Sequence, residues 1–367
     1  MAKVSIIIPS YNHEKYVGYA LESVFSQTFQ DFEIIITDDN SQDKTVEEIK
    51  KFNDPRIKLY PSMKNQGVCV AINNCLEHCR GEYVAHLNSD DAFFPDKLEK
   101  QVKYLDNHPK IGAVFSQVRM IDEEGNNLPD SAHFHGLMNG LRNRSRYQWL
   151  NYFFYNCRWL WHPSMMMRKK AYDDIGYHNP CLAQIQDFDI GIKLSLKYEL
   201  YIIQERLTKF RIRAGDMNAS AATPKAVIRS MFEFSHVLKH YLKIKSVKEF
   251  LKIFPDSQKK HKDIVDDELI LFYVARQALE VEHVFHQKFA LDVIFDLLNN
   301  KITSSKLRKK SHFDQGDFIK LTGKNDHYHV QHIEYQEDLI NKLQEEIILL
   351  KKPINRIKNT VKELIGR

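Results

Sequence analysis

Short apolar runs and amphipathic stretches alternate through the first third of the chain. Val4–Ile8 is β-rich and stops at Pro9, which reads as a fully buried strand. Beyond Ser10-Tyr11-Asn12-His13, the apolar positions Val17, Ala20, Leu21 and Val24 share one helical face. Glu33–Thr37 is a second buried strand. It runs into Asp38-Asp39-Asn40-Ser41, with Asp43 and Thr45 beyond, a polar cluster of the kind that starts a helix. Val46 and Ile49 give that helix its apolar face. Ile57–Tyr60 makes a third strand. Asn65-Gln66-Gly67 turns into a helix reaching Cys79, with Gly81 as its cap. Tyr83–Leu87 is a fourth strand, Pro95 opens a helix carrying Leu98, Val102 and Leu105 in line, and Ile111–Val118 is a further strand. Alternation at this spacing predicts an α/β fold, a mostly parallel sheet with helices on both faces.

Polar residues cluster after three of these strands, as Tyr11-Asn12, Asp38-Asp39 and Asp90-Asp91. Parallel strands end on one edge of a sheet, where open α/β proteins take ligands, so the clusters can converge on a nucleotide-type ligand. Adjacent hard oxygen donors such as Asp90-Asp91 suit Mg2+ or Mn2+ holding a phosphate; taken alone, the same pair also reads as a solvated turn. Neither Gly-x-Gly-x-x-Gly nor Gly-x-x-x-x-Gly-Lys occurs, which argues against dinucleotide enzymes and P-loop NTPases.

The net charge of +5 is too small to argue for nucleic acid, and its distribution is more useful. Lys and Arg crowd 239–262, 301–310 and 351–367. Such runs are either solvated helix faces or surfaces for an anionic membrane or acidic ligand. Five cysteines without a Cys-x-x-Cys pair fit reduced thiols rather than a disulfide framework or a zinc knuckle. The amino-terminal apolar run is too short for a signal peptide, and no stretch reaches the ~20 apolar residues of a membrane span. The expected location is cytoplasmic, free or peripheral on the inner face of the cell membrane.

Four segments in order carry a family resemblance: Ser5-Ile6-Ile7-Ile8-Pro9-Ser10-Tyr11-Asn12, Asp38-Asp39-Asn40-Ser41-Gln42-Asp43-Lys44-Thr45, Gly81-Glu82-Tyr83-Val84 and Asn88-Ser89-Asp90-Asp91. Together they resemble family 2 glycosyltransferases of the GT-A fold, over roughly residues 3 to 220. The resemblance implies inverting transfer of a sugar from a nucleotide donor, assisted by Mn2+ or Mg2+. It puts Pro9, Tyr11, Asn12, Asp38, Asp39, Asn65, Asp90 and Arg213 on the donor side. Tyr11 would stack on the base, and Asp39 would accept the imide N–H of uracil, which favours a UDP-sugar. Asp38 would serve the base or the fold, and Asp90 the ribose or donor sugar. Asp91 would bind the metal, which offsets charge on the leaving diphosphate. Two departures stand out. Asn88 occupies a position where the family often has Asp, and Ile72 one where it often has Arg.

Residues 119–148 read as irregular, and His133-x-His135 there lacks a third ligand. Tyr147–Trp161 is dense in aromatics, either core or acceptor platform; by resemblance Trp161 and His162 lead into the acceptor side. Gln184-Ile185-Gln186-Asp187-Phe188-Asp189 is similar to the family's Glu-Asp-x-Asp, which implies Asp187 as general base. Without the resemblance Asp187 reads as a helix N-cap. Arg213 stands where many members have His and can pair with phosphate oxygens.

The resemblance ends at Pro224, and the domains expected are 1–222 catalytic, 223–310 helical, and 311–367 a linker with a coiled-coil and basic amphipathic tail. Lys301–Lys310 reads as a basic linker. His327, His329 and His332 form either a metal tract or a solvated segment. Heptads put Ile333, Ile340, Ile347, Ile354 and Val361 at one position and Leu343, Leu350, Ile357 and Leu364 at the other, the pattern of a parallel two-stranded coiled coil. Self-association is expected through 333–352. Pro353 should kink or end the helix, and 353–367 divides between coiled coil and membrane contact. The expected partners are a nucleotide-sugar donor and a glycan or lipid-linked glycan acceptor. A binding or scaffold protein that keeps the fold without catalysis is the rival from another class. A nucleotidyltransferase would want a Gly-rich basic loop after the first strand, and Pro9-Ser10-Tyr11-Asn12 is not one.

Overall fold

The computed structural model describes residues 2–132, 138–213, 223–326 and 330–366. His133, His135, His327 and His329, weighed above as metal ligands, lie outside them. Eight strands form one sheet among the described residues: β1 (Val4–Ser10), β2 (Phe32–Asp38), β3 (Ile57–Pro61), β4 (Tyr83–His86), β5 (Ala92–Phe93), β6 (Ile111–Ile121), β7 (Met166–Arg168) and β8 (Glu199–Arg211). Their order is β3-β2-β1-β4-β7-β6-β8-β5. β1 runs parallel to β2 and β4, β2 to β3, and β6 to β8. The pairs β4/β7, β6/β7 and β5/β8 are antiparallel. The sheet is thus mixed, with its parallel part where the apolar runs predict it.

Helices α1 (Val17–Phe25), α2 (Thr45–Lys50), α3 (Val68–His78) and α4 (Lys97–Asn107) cover that part. Side chains of a strand alternate between faces. Val4, Ile6 and Ile8 of β1 pack with Val17, Leu21 and Val24 of α1, Ile49 of α2, and Leu98 and Leu105 of α4. The intervening residues face the other way, where α3 lies against β1 and β2. Gly81 does not cap α3, whose C-cap is Cys79. A Cβ at Gly81 would sit 2.6 Å from the backbone nitrogen of Ser5, so the glycine is required by the close approach of two backbones.

The next helices are α5 (Arg146–Asn156), α6 (Lys169–Ile175), α7 (Gln186–Ser195), α8 (Pro224–Val237), α9 (Val247–Ile253), α10 (Ser257–Lys260) and α11 (Ile270–Leu279). Trp149, Phe153 and Phe154 of α5 are buried, as are Trp159 and Trp161 after it. α5 packs on α7 and α9, and the ring of Trp159 fills the space that a side chain at Gly191 would need. Most of this aromatic stretch is therefore core.

Contacts divide the chain into two compact units, Met1–Val274 and Ala275–Arg367. The second contains α12 (Val284–Asn299), α13 (Lys301–Ser311), α14 (Gln315–Thr322) and α15 (Val330–Ile365). The stretch expected as a basic linker is helix α13, started by Asn300, whose Oδ1 accepts the N–H groups of Ile302 and Thr303. Its run of basic residues hides that cap from a reading by charge. α15 continues through Pro353 instead of ending there. Proline removes one backbone donor, and a solvated helix can make good the single lost bond with water. Among the described residues, no helix is long and apolar enough to cross a membrane.

Candidate active site

β4 delivers the chain to Asn88-Ser89-Asp90-Asp91, and β5 at once ties it to β8. Asp91 is only 1% exposed, so its charge must be met from inside. Its Oδ2 accepts from Asn88 Nδ2 and its Oδ1 from the backbone N–H of Arg211, each at 2.9 Å. The Arg211 guanidinium donates to the carbonyls of Asp90 (2.8 Å), Asp122 and Glu123 (both 2.7 Å). The end of β8 is thereby fastened to the acidic loop. Burial and the adjacent Asp90 charge push the Asp91 carboxyl upward, against the two donors.

Asp90 faces two nitrogen groups. Its Oδ2 lies 3.4 Å from Arg213 Nε and 3.7 Å from His13 Nε2. His13 is held between Ser89 Oγ on Nδ1 (2.7 Å) and Arg213 Nη1 on Nε2 (3.0 Å). An arginine can only donate, so Nε2 accepts and the ring is neutral. Burial lowers the His13 pKa in the same sense, although Asp90 pulls it back. The sequence patterns single out neither His13 nor Arg211, because their partners lie 76 to 200 residues away or on the main chain.

The ends of β1 and β2 build a second, connected rim. Both Asp38 oxygens accept from Ser41, from its N–H at 2.8 Å and its hydroxyl at 2.5 Å. Asp39 accepts the N–H groups of Gln66 (2.9 Å) and Gly67 (2.8 Å), clamping the start of α3. Asn65 donates to the Asp39 carbonyl (3.2 Å). Asn12, in the left-handed region at φ 52°, donates its N–H to Ser41 Oγ and accepts from Gln42 N–H. Pro9 is paired opposite Thr37. Tyr11 is the aromatic residue of this group and is 43% exposed. The N–H of His13 reaches Thr45 Oγ1 (2.8 Å), joining this rim to the acidic loop.

Asp187 enters from α7. The N-cap of α7 is Ile185, without a side-chain cap, so Asp187 is not the cap; its Oδ1 accepts the N–H of Phe188 (2.7 Å). The preceding loop hangs on Glu233 of α8, which is buried and accepts the N–H groups of Ala183, Gln184 and Ile185 at 2.9 to 3.1 Å. Burial, with the Glu233 charge adding to it, raises the Asp187 carboxyl to about 6. Asp189 pairs with His240 (2.6 Å) and Lys193 (3.3 Å). Trp161 is buried and donates Nε1 to Asn139 (3.1 Å). His162, also buried, packs 4.2 Å from the ring of His86, whose Nε2 meets Asn88 Oδ1 at 2.9 Å. Burial depresses both histidines, His86 to about 4, so the chain from His162 to Asn88 carries no charge at neutral pH. The acidic loop thus holds a buried carboxyl with an arginine on its neighbour Asp90, the β1–β2 rim an exposed aromatic face, and α7 a carboxyl raised toward neutrality.

Residues 5–176 match the model of the family described as Glycosyl transferase family 2. Over 214 residues the chain is 35% identical to an uncharacterized glycosyltransferase of Methanocaldococcus jannaschii, covering 57% of this chain and 70% of that protein. Among solved structures, S. aureus TarS 1–349 in complex with UDP-GlcNAc aligns with a TM-score of 0.57 at 19% identity, over 84% of this chain and 92% of that one. The mannosyltransferase PcManGT from Pyrobaculum calidifontis, in complex with GDP-Man and Mn2+, aligns at 0.50 and 16% identity, over 88% and 87%. At these identities the structural likeness speaks for the fold alone.

Proposed function

The chain belongs to glycosyl transferase family 2 and has the GT-A fold, and from that premise we propose that it transfers a sugar from a UDP-sugar to a hydroxyl of a glycan or lipid-linked glycan, with inversion. The observation that supports this reading is the presence, in one family 2 chain, of a buried, doubly held Asp91 after β4 and an Asp187 carboxyl on α7 raised to about 6. Asp187 takes the proton of the acceptor hydroxyl as its oxygen attacks the anomeric carbon. The TarS complex with UDP-GlcNAc and the PcManGT complex with GDP-Man support a nucleotide-sugar donor. Uracil is favoured because Asp39 is fixed by two backbone N–H groups and keeps lone pairs for an imide N–H. Tyr11 supplies the stacking face, and Arg213 the positive charge toward phosphate.

The donor set at Asp91 fits a hard divalent ion, Mn2+ or Mg2+. Asn88 and Arg211 each take one lone pair of an Asp91 oxygen and orient the rest. Among the described residues no group of three or more His, Cys, Asp or Glu could hold a metal, so the ion in this proposal would be shared between one carboxylate and a diphosphate. When bound, such an ion offsets the charge of the departing diphosphate. A calorimetric panel of nucleotide sugars with Mn2+, Mg2+ or EDTA tests the reading. Metal-dependent binding of one UDP-sugar is expected, and Asp91→Ala should remove the metal dependence. Absence of binding by every nucleotide under every metal condition would favour a non-catalytic scaffold.

A further inference from the structure

Outside the proposed transfer site, the second unit gathers positive charge into a concavity. α13 carries Lys301, Lys306, Arg308, Lys309 and Lys310 and no acid. Lys301, Ser304, Arg308 and Lys309 recur at i, i+3, i+7 and i+8, which is one face of a helix. That face lines an open hollow of about 370 Å³, with Asn299 from the end of α12 and Gln315 from the start of α14 among its walls. Gln315 braces the wall: it accepts from Arg308 Nη2 (3.2 Å) and donates to Ser304 Oγ (3.1 Å). No acidic side chain is among the lining residues. Three exposed basic side chains thus line one hollow without an acid among them, a field that attracts an anion.

The rim is apolar and exposed. Phe295 stands one turn before Asn299 on α12 and is 55% exposed. Ile319 stands one turn after Gln315 on α14 and is 70% exposed; Ile302, in line with Lys309 on α13, is 69% exposed. Phe295 meets Phe318 of α14 at 6.2 Å between ring centroids, which joins the two apolar sides. A free phosphate would satisfy the cations and leave these side chains in water. A phospholipid surface satisfies both, with headgroup phosphate for the cations and the acyl boundary for Phe295, Ile302 and Ile319.

We propose that the α12–α14 hollow docks the chain on an anionic lipid bilayer. The docking does not depend on which sugar is transferred, nor on the basic tail from Lys351 onward. The test is co-sedimentation of the full chain with vesicles of phosphatidylcholine alone or mixed with phosphatidylglycerol. Binding is expected to the anionic vesicles only, and to weaken with salt. Lys301→Gln with Arg308→Gln and Lys309→Gln should lower the partition coefficient about a hundredfold, the combined weight of three basic groups near such a surface. Phe295→Ser should lower partitioning without changing its salt dependence. Lys351, Lys352, Arg356 and Lys358 changed together to Gln should leave it in place. Circular dichroism verifies the fold of each variant. The proposal is overturned if the unaltered chain ignores anionic vesicles, if the triple variant and Phe295→Ser bind as well as it does, or if the tail variant alone abolishes binding. Stabilisation by inorganic phosphate without vesicle binding would identify a soluble anion and also overturn it.

Discussion

The Asp187 carboxyl, proposed above as the base, has its charge set by its surroundings. Its folded pKa of about 6 lies above the 3.8 of a free carboxyl, so the folded state holds a proton that the unfolded chain has released between those values. Two consequences run in opposite directions. Transfer should rise with pH through about 6, measured as kcat against pH, because the base must be ionised. Stability should fall over the same window, since a raised carboxyl contributes most below its unfolded pKa and loses that contribution as pH climbs through the folded one. Asp187→Asn is expected to cut transfer on the order of 10³-fold while the Tm at pH 7 stays level or rises. A merely structural role would lower the Tm instead. At Asn88 the replacement Asn88→Asp removes a donor from Asp91 and adds a like charge. Roughly 1–3 kcal/mol of stability should be lost without metal, and the Tm gain on adding Mn2+ should grow. Asp91 and Asp187 drew attention in the sequence because acids in short motifs stand out, and their roles came from the family resemblance. Arg211, His13 and Glu233 were not, since each acts through main-chain or distant groups that carry no local pattern.

At the level of elements, what the hydrophobic period announces is what is buried on both faces. β1, β2 and β4 are wholly buried and appear as apolar runs. β8 was missed because Gln204, Glu205 and Arg206, none of them buried, break its apolar pattern between Leu200, Ile202 and Leu207. β5 and β7, of two and three residues, are too short to show any period. Gly81 was legible as a special position and misread as to cause. Gly81→Ala should cost about 1–3 kcal/mol in urea unfolding, because the added methyl must push β1 from its place. Glu233→Gln tests the suspension of the α7 loop. An amide nitrogen would face main-chain N–H groups where an oxygen now accepts. A drop in kcat with little change in KM is the expected outcome.

Over the whole molecule, the catalytic fold occupies the first unit and the second is helical throughout its described residues. α15 extends 36 residues, about 54 Å at the helical rise, with Ile333, Ile340, Leu343 and Ile347 about half exposed. Such a stripe on a long helix suits a second copy of itself. The proposed pairing predicts that Ile340→Asp with Ile347→Asp lowers the mass read by light scattering to that of one chain while transfer to a soluble acceptor persists; an unaltered chain already of that mass would refute it. The buried tryptophans carry one more consequence. Trp149, Trp159 and Trp161 all lie in the first unit and the second has none. Tryptophan emission therefore follows the loss of the sheet and is blind to the melting of α12–α15, which ellipticity at 222 nm records. If the units unfold independently, the two probes will give different midpoints from one sample, and a ligand of the transfer site will move only the fluorescent one.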